Sequence, residues 1–320
     1  MSIDSAVILH ALESILTFII IGGIGYFLAK RGWFTEESNA LMSKLVMLVA
    51  LPPYLLYNVT SVLTLDDLFK MGHGLIAPFT SMLLATGLSL LTAKAIHVPR
   101  TRRGVFCSSF SFSNSVLIGI PVNLALFGEK SLPYTLLYYF ANTTLFWSIG
   151  NYLLASDSDK SKPKIFSMDT ARKVLSPPLL GFLIGLVMLF LGVKLPPFLA
   201  STARHLGGLT TPLVMISIGV TLYHMGINRI RPSLELFFVA LSRFVLSPFL
   251  IILVTWFVPI PDLMRKVFII QASLPAMASI AMLTHYYETD VDYATVMVSA
   301  TTLLSIVTIP FYMVLSTWLS

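Results

Sequence analysis

Residues 110–128 read FSFSNSVLIGIPVNLALFG, a stretch that is apolar and long enough to cross a bilayer as a helix. Polar and helix-breaking residues stand where a simple membrane anchor would have leucine: Ser111, Ser113, Asn114, Ser115, Gly119 and Pro121. Pro121 has no N–H to donate and its ring clashes with the carbonyl of Leu117, so we expect the helix to break there. Unpaired backbone groups are costly in hydrocarbon, and such a break is tolerated only inside protein or beside a wet cavity. The stretch therefore predicts a binding site.

The composition is that of an integral membrane protein. Of the 320 residues, 56% are hydrophobic and only 11% are charged, and the mean hydropathy is +0.84. The net charge of +6 does not indicate a nucleic-acid partner, because the basic residues lie mostly in short loops between apolar runs. The single cysteine, Cys107, excludes an intramolecular disulfide. We expect no metal and no cofactor.

Apolar runs predict an all-α polytopic protein with ten transmembrane helices, here called spans one to ten. The runs lie at about 6–29, 38–60, 73–96, 104–127, 132–155, 175–193, 206–227, 233–258, 264–286 and 292–318. Lysine and arginine are concentrated in the odd-numbered loops. The positive-inside rule then places both termini outside the cell (plasma or inner) membrane and the 94–103 and 156–174 loops in the cytoplasm.

The polar 156–174 segment divides the chain into halves, residues 1–155 and 175–320, that resemble each other. At an offset of 159 residues Gly22 matches Gly181, Pro53 matches Pro212, and Thr143 matches Thr302. Each half holds five spans, an odd number, so the second half must enter the membrane from the opposite side. We therefore predict an inverted repeat, which favours alternating access.

The same offset places residues 110–128 on 269–287 in span nine, which carries Gln271, Ser273, Pro275 and Ser279. If spans four and nine both break, two helix N-termini point into one cavity and favour an anion, most simply a carboxylate. Asn114, Ser115 and Ser273 can donate hydrogen bonds there without carrying charge.

Few titratable residues lie within the spans. None is near the predicted crossing of spans four and nine, which favours uniport or exchange over proton or sodium coupling. Glu13 is interpreted as interfacial, with a proton carrier as the alternative. Arg243 lies deep in span eight, and a structural role on neighbouring carbonyls or Glu235 weighs equally with a role on the substrate path.

Several motifs resemble the auxin efflux carrier family, of the bile acid/auxin carrier type, which includes the plant PIN-FORMED carriers and bacterial malonate and malate permeases. Residues 114–121, NSVLIGIP, are similar to the family's span-four signature. The other matching segments are Ala50–Pro52, Ser217–Gly219, Arg243–Phe244 with Pro248, and Gln271–Pro275. The resemblance covers essentially the whole chain.

The resemblance implies a dimerising scaffold of spans one, two, six and seven and a moving, elevator-type transport domain of spans three to five and eight to ten. It also implies that Asn114 contacts a substrate carboxylate, that Pro121 marks the first crossover, and that Asn142 is a polar position in span five. One feature departs from the plant carriers, because Ile280 replaces their span-nine proline. The second break then depends on Pro275 and the small residues Ala276, Ala278 and Ser279.

The leading interpretation is a secondary transporter, in a homodimer, of mono- or dicarboxylate anions. A proton- or sodium-coupled symporter and a sensor or receptor that kept the fold are the alternatives. An enzyme is disfavoured because the chain has no H-E-x-x-H and no G-x-S-x-G motif, and ATP-driven transport is disfavoured by the lack of Gly-Lys-Ser/Thr.

Overall fold

All regular structure in the described residues is helical. The structure, a computed structural model, describes residues 5–65, 71–158, 175–224 and 230–318. Within these ranges no strand occurs, and the one isolated antiparallel bridge joins Ser113 and Ala276. Most of the predicted 156–174 linker lies outside the described residues.

In the first half of the chain the described residues include eight α-helices of five residues or more. They are α1 (Ser5–Lys30), α2 (Glu36–Leu45), α3 (Leu51–Val62), α4 (Ile76–Ala95), α5 (Arg103–Ser111), α6 (Gly119–Phe127), α7 (Leu132–Leu145) and α8 (Asn151–Ala155). Short π-helical segments, Val46–Ala50 and Phe146–Gly150, join α2 to α3 and α7 to α8.

In the second half the described residues include eight more. They are α9 (Pro177–Phe190), α10 (Pro197–Gly208), α11 (Thr210–His224), α12 (Leu234–Leu241), α13 (Ser247–Phe257), α14 (Asp262–Ala272), α15 (Ser279–Tyr286) and α16 (Val291–Trp318). A π-helical segment, Ser242–Leu246, joins α12 to α13.

Local sequence explains several helix starts. The Thr35 side chain accepts from the Ser38 N–H at 3.3 Å and the Ser38 side chain accepts from the Thr35 N–H at 2.7 Å, a capping box that begins α2. Prolines stand in the first turns of α3, α7 and α9, where a missing N–H is harmless.

Five helical segments are long and apolar enough to cross a membrane: Glu36–Ser61, His73–Ala95, Pro197–His224, Leu234–Phe257 and Val291–Tyr312. Ile19–Lys30 and Pro177–Phe190 are shorter apolar helices. Every predicted span falls on one or two helices, while the number of crossings and the two-domain division stay predictions. Large apolar side chains face outward, for example Trp256 at 83% and Val307 at 73% exposure, as expected for contact with lipid.

Two helix pairs pack closely through glycine. In α1 and α11, a Cβ added to Gly219 would overlap the carbonyl oxygen of Gly22, and one added to Gly25 would overlap that of Ile216. In α9 and α3, a Cβ on Gly181 would overlap the Pro52 carbonyl. Small residues let backbones approach where lipid offers no hydrophobic drive for association.

Candidate functional site

Two broken helices cross at the centre of the fold. The chain leaves helical geometry between α5 and α6 and between α14 and α15, and we call residues 112–118 and 273–278 the crossover. The Asn114 N–H donates to the Pro275 carbonyl at 2.9 Å and the Met277 N–H donates to the Phe112 carbonyl at 3.2 Å. Each break thus satisfies backbone groups of the other, which is how non-helical backbone is tolerated at membrane depth.

The first break precedes Pro121, which corrects the prediction that the helix breaks at this proline. Pro121 is the third residue of α6, where an N–H would have no intrahelical acceptor, so the proline is compatible with the helix. Gly119 begins α6. A Cβ there would overlap the Gln271 side-chain amide, whose nitrogen donates to the Ser115 carbonyl at 3.2 Å.

The second break is complete without the proline that Ile280 replaces. Ile280 lies fully buried in the first turn of α15. Pro275 lies within the break and contributes its carbonyl to Asn114, as described above. Six residues, 273–278, separate α14 from α15.

Asn142 on α7 binds the crossover backbone. Its Oδ1 accepts from the Ser113 N–H at 3.1 Å, and its Nδ2 donates to the Ser113 carbonyl at 2.9 Å and to the Ser115 Oγ at 3.1 Å. Asn142 is fully buried and its amide is occupied, which favours a positioning role over ligand contact. Thr301 on α16, at the 159-residue offset from Asn142, accepts from the Ala276 N–H at 3.2 Å.

Arg243 binds the carbonyl ends of both half-helices. It lies fully buried on the π-helical segment between α12 and α13. Its guanidinium donates to the Ser111 carbonyl at 3.2 Å, to Ala272 at 2.7 Å and to Leu274 at 3.0 Å. The Ser111 and Ala272 carbonyls end α5 and α14, where the helix dipole is negative, and Leu274 lies two residues beyond α14. The geometry fits the structural alternative for Arg243.

Two cavities meet at Asn114. The first, about 320 Å³, lies between α2, α11, α16 and the crossover, and the second, about 350 Å³, lies between α2, α7 and the crossover. Ser43, Asn114, Leu117 and Ala278 line both. The Asn114 side chain is half-buried and makes no hydrogen bond to any described residue. It is therefore free to bind a ligand.

Of the other predicted hydrogen-bond donors, some line a cavity and some do not. Ser115 and Ser279 line the second cavity. Ser273 lines neither cavity, because it is fully buried and its hydroxyl donates to the Ile270 carbonyl at 2.9 Å. The Glu13 side chain lies outside the described part of the structure.

The cavities suit an anion. Among the described residues that line them there is no Asp or Glu, and Lys44 is the one charged side chain. Thr143, a buried residue of α7, is among the polar residues that line the second cavity. Helices α6 and α15 both begin at the crossover, and helix N-termini favour negative charge. Carboxylate is the simplest ligand for this donor set.

Both cavities lie on the side of the crossover at which α2 begins. On the other side Leu55 and Val59 of α3 are completely buried with Ile120, Leu132 and Leu136. Glu129 adds polar contacts there, its carboxylate accepting from the Tyr54 hydroxyl at 3.1 Å and its carbonyl from the Asn58 side chain at 3.4 Å. Access is thus blocked on that side.

Sequence reasoning missed Asp157, which follows α8. Its carboxylate accepts from the N–H groups of Gly104 and Val105, at 2.8 and 3.1 Å, and so caps α5. Burial raises the pKa of this carboxyl to about 7, against the lowering effect of these hydrogen bonds and of Arg103. Thr301 was also missed, although its offset from Asn142 was a usable signal.

Comparisons with known proteins identify membrane transporters as relatives of this chain. A family described as "Membrane transport protein" matches residues 10–313. An uncharacterized transporter of Methanothermobacter thermautotrophicus is 26% identical over 310 residues, covering 94% of this chain and 97% of the relative. One of Methanocaldococcus jannaschii is 23% identical, with 94% and 97% covered. A Rhizobium meliloti protein named "Putative malonate transporter" is 23% identical, with 92% of each covered.

Proposed function

The chain belongs to the membrane transport protein family, that of the auxin efflux carriers, and from this we propose that it is a secondary transporter of small carboxylate anions working by alternating access. Two helix N-termini and the free Asn114 side chain meet in the two cavities. Among the described residues that line these cavities there is no acidic side chain, and this arrangement carries the proposal. The printed name of the Rhizobium meliloti relative supports an organic anion.

The proposed motion is that of an elevator. Helices α1–α3 and α9–α11 form the scaffold, through which two copies pair, and α4–α8 with α12–α16 form the moving domain. Cavities on one side and a buried apolar contact on the other are what one end state of such a cycle requires. With both termini outside the cell membrane, this state faces the cytoplasm.

An inverted repeat supplies the other end state. Moved by 159 residues, the bounds of α5 and α6 become 262–270 and 278–286, within two residues of α14 and α15 at each end. Exchanging the conformations of the two halves would move the cavities to the opposite side.

Substrate gradient and membrane potential drive the cycle. Arg243 is bonded to the crossover through the Leu274 carbonyl, and its guanidinium also binds the adjoining carbonyls of Ser111 and Ala272. The membrane potential contributes roughly 2.3 kcal/mol per charge per 100 mV. Uniport or exchange therefore needs no coupled cation.

Charge movement in proteoliposomes on a solid-supported membrane tests the proposal. Malonate, malate, succinate, lactate and an indole carboxylate are offered in turn, with and without proton or sodium gradients. We expect negative charge to move into the proteoliposomes with at least one acid when no cation gradient is applied. Current that needs a cation gradient would replace uniport by symport, and silence with every acid would contradict carboxylate transport.

A further inference from the structure

The second cavity carries a charge that the proposed carboxylate site does not use. Lys44 lines it together with Asn114, Ser115, Thr143 and Ser279. Its side chain is exposed, and no described residue pairs with it. Among described lining residues of both cavities it is the sole lysine or arginine.

The position of Lys44 differs from that of a loop lysine. It stands in the last turn of α2, eight residues after Glu36, which places it about 12 Å along the helix axis. The backbone continues without a helix end into Val46–Ala50. α2 therefore has no free helix C-terminus next to Lys44.

The cavity has room for more than one carboxylate. Its volume of about 350 Å³ corresponds to about ten water molecules at the liquid density of roughly 30 Å³ each. Uncharged polar residues, Asn114, Ser115 and Ser279, line it at or directly beside the crossover, and the single positive charge comes from α2. A ligand with one carboxylate at the uncharged residues and another at Lys44 matches this distribution of donors and charge.

We propose that Lys44 binds the second carboxylate of a dicarboxylate whose first carboxylate lies at Asn114, and so selects dianions over monoanions. This rests on the proposed transport of carboxylates. A charge-assisted hydrogen bond is roughly twice as strong as a neutral one, and a monoanion held at Asn114 leaves Lys44 unused. A dianion bound in this way joins α2 to the crossover and must leave Lys44 before the two move apart.

The test compares acids of one and two carboxylates on one set of variants. Malonate and succinate are matched with acetate and propionate, and apparent affinities come from proteoliposome currents at neutral pH. Lys44→Met, which keeps length without charge, is expected to lower the dianion-to-monoanion affinity ratio about tenfold. Lys44→Arg is expected to restore most of the ratio. Lys94→Met, an exposed lysine that lines neither cavity, is the matched control and should leave the ratio unchanged.

The outcomes separate this inference from the function beneath it. Wild-type currents with an unchanged ratio in Lys44→Met, or equal losses for both classes of acid, would overturn the role of Lys44 alone. No current from the wild type with any acid would overturn carboxylate transport and the role of Lys44 together. Failure of Lys44→Arg to recover dianion preference would also count against a charge contact.

Discussion

The Asn142 side chain pairs with both backbone groups of Ser113, accepting from its N–H at 3.1 Å and donating to its carbonyl at 2.9 Å. The Asn142 amide thus makes the two backbone hydrogen bonds that a neighbouring strand would make in a sheet. The broken segment of the first half is thereby held from α7 as well as by its partner segment, residues 273–278. The position of this broken segment is therefore set in part by α7.

Replacing Asn142 by leucine should destabilise the fold. The change leaves buried polar groups of Ser113 unpaired, and we expect a loss of about 2–4 kcal/mol in the free energy of unfolding. Thermal unfolding of the purified protein in detergent measures it. Asn142→Asp keeps the acceptor and loses the donor, and should fall between leucine and wild type. Wild-type stability of the leucine variant would remove the positioning role.

Asn114→Ala should have the opposite pattern. The Asn114 side chain has no partner among described residues, so its removal leaves the melting temperature near that of the wild type. Loss of a ligand hydrogen bond to a charged group should lower substrate affinity about tenfold or more. Binding measured by calorimetry, beside the unfolding curve, separates the two effects. Wild-type affinity in this variant would exclude Asn114 from the site.

Replacing Arg243 by methionine should be more damaging still. Three carbonyls at or just beyond the ends of α5 and α14 lose their donor, and we expect at least about 3 kcal/mol of destabilisation. Arg243→Lys should rescue little, since one ammonium cannot reproduce the planar fork. Arg102→Met removes a partly exposed ion pair with Asp290 and serves as control, with less than about 1 kcal/mol expected. Equal effects of the two methionine variants would contradict the special place of Arg243.

Linking Asn58 to Glu129 should stop transport without stopping binding. The pair joins the proposed scaffold to the proposed moving domain on the closed side. Cysteines at both positions, in a Cys107→Ser background, are joined by a short thiol crosslinker. Proteoliposome current should disappear while calorimetric binding stays, and each single-cysteine variant should keep its current after treatment. Full current after crosslinking would mean that these parts do not move past each other.

Asp157 should make stability depend on pH. Its folded-state pKa, about 7, lies above the ordinary value of 3.8, so the folded state keeps a proton that the unfolded state has lost between these values. Stability therefore falls as pH rises through this window, and the penalty is complete above about pH 7. In Asp157→Asn this part of the dependence should vanish. Melting temperatures of both proteins at about pH 5 and pH 8 provide the comparison, and parallel curves would show that Asp157 does not titrate there.

The sequence was informative about what is repeated and about which residues are helix breakers. It identified the family, and the all-helical character and the interruption of both helices followed from apolar run lengths and from polar residues inside them. It predicted the first break at Pro121, six residues after Ser115, because the effect of a proline was considered within its own helix alone. The observed position depends on hydrogen bonds between Asn114 and Pro275, which belong to opposite halves of the chain.

Side-chain roles at the site were harder to predict for a related reason. Arg243 donates hydrogen bonds to main-chain carbonyls. Every residue has a carbonyl, so these partners could not be identified from the sequence. Asn142 and Ser273 are polar residues near a break, as ligand-binding residues would be, but both lie outside the cavity linings and bind main-chain groups. Asp157 looked like part of a polar linker because its partners are backbone N–H groups.

The Arg243 guanidinium, which binds carbonyls at two helix ends, has a consequence for the synthesis and membrane insertion of the protein. Ser111 leaves the ribosome long before Arg243, the donor to its carbonyl. Asn114 likewise leaves long before Pro275, whose carbonyl accepts from the Asn114 N–H. A nascent chain that ends between the halves therefore holds an interrupted helix with unsatisfied backbone at membrane depth. Insertion of the first five spans must precede their final shape, and that shape is completed only when the second half of the chain has been synthesised.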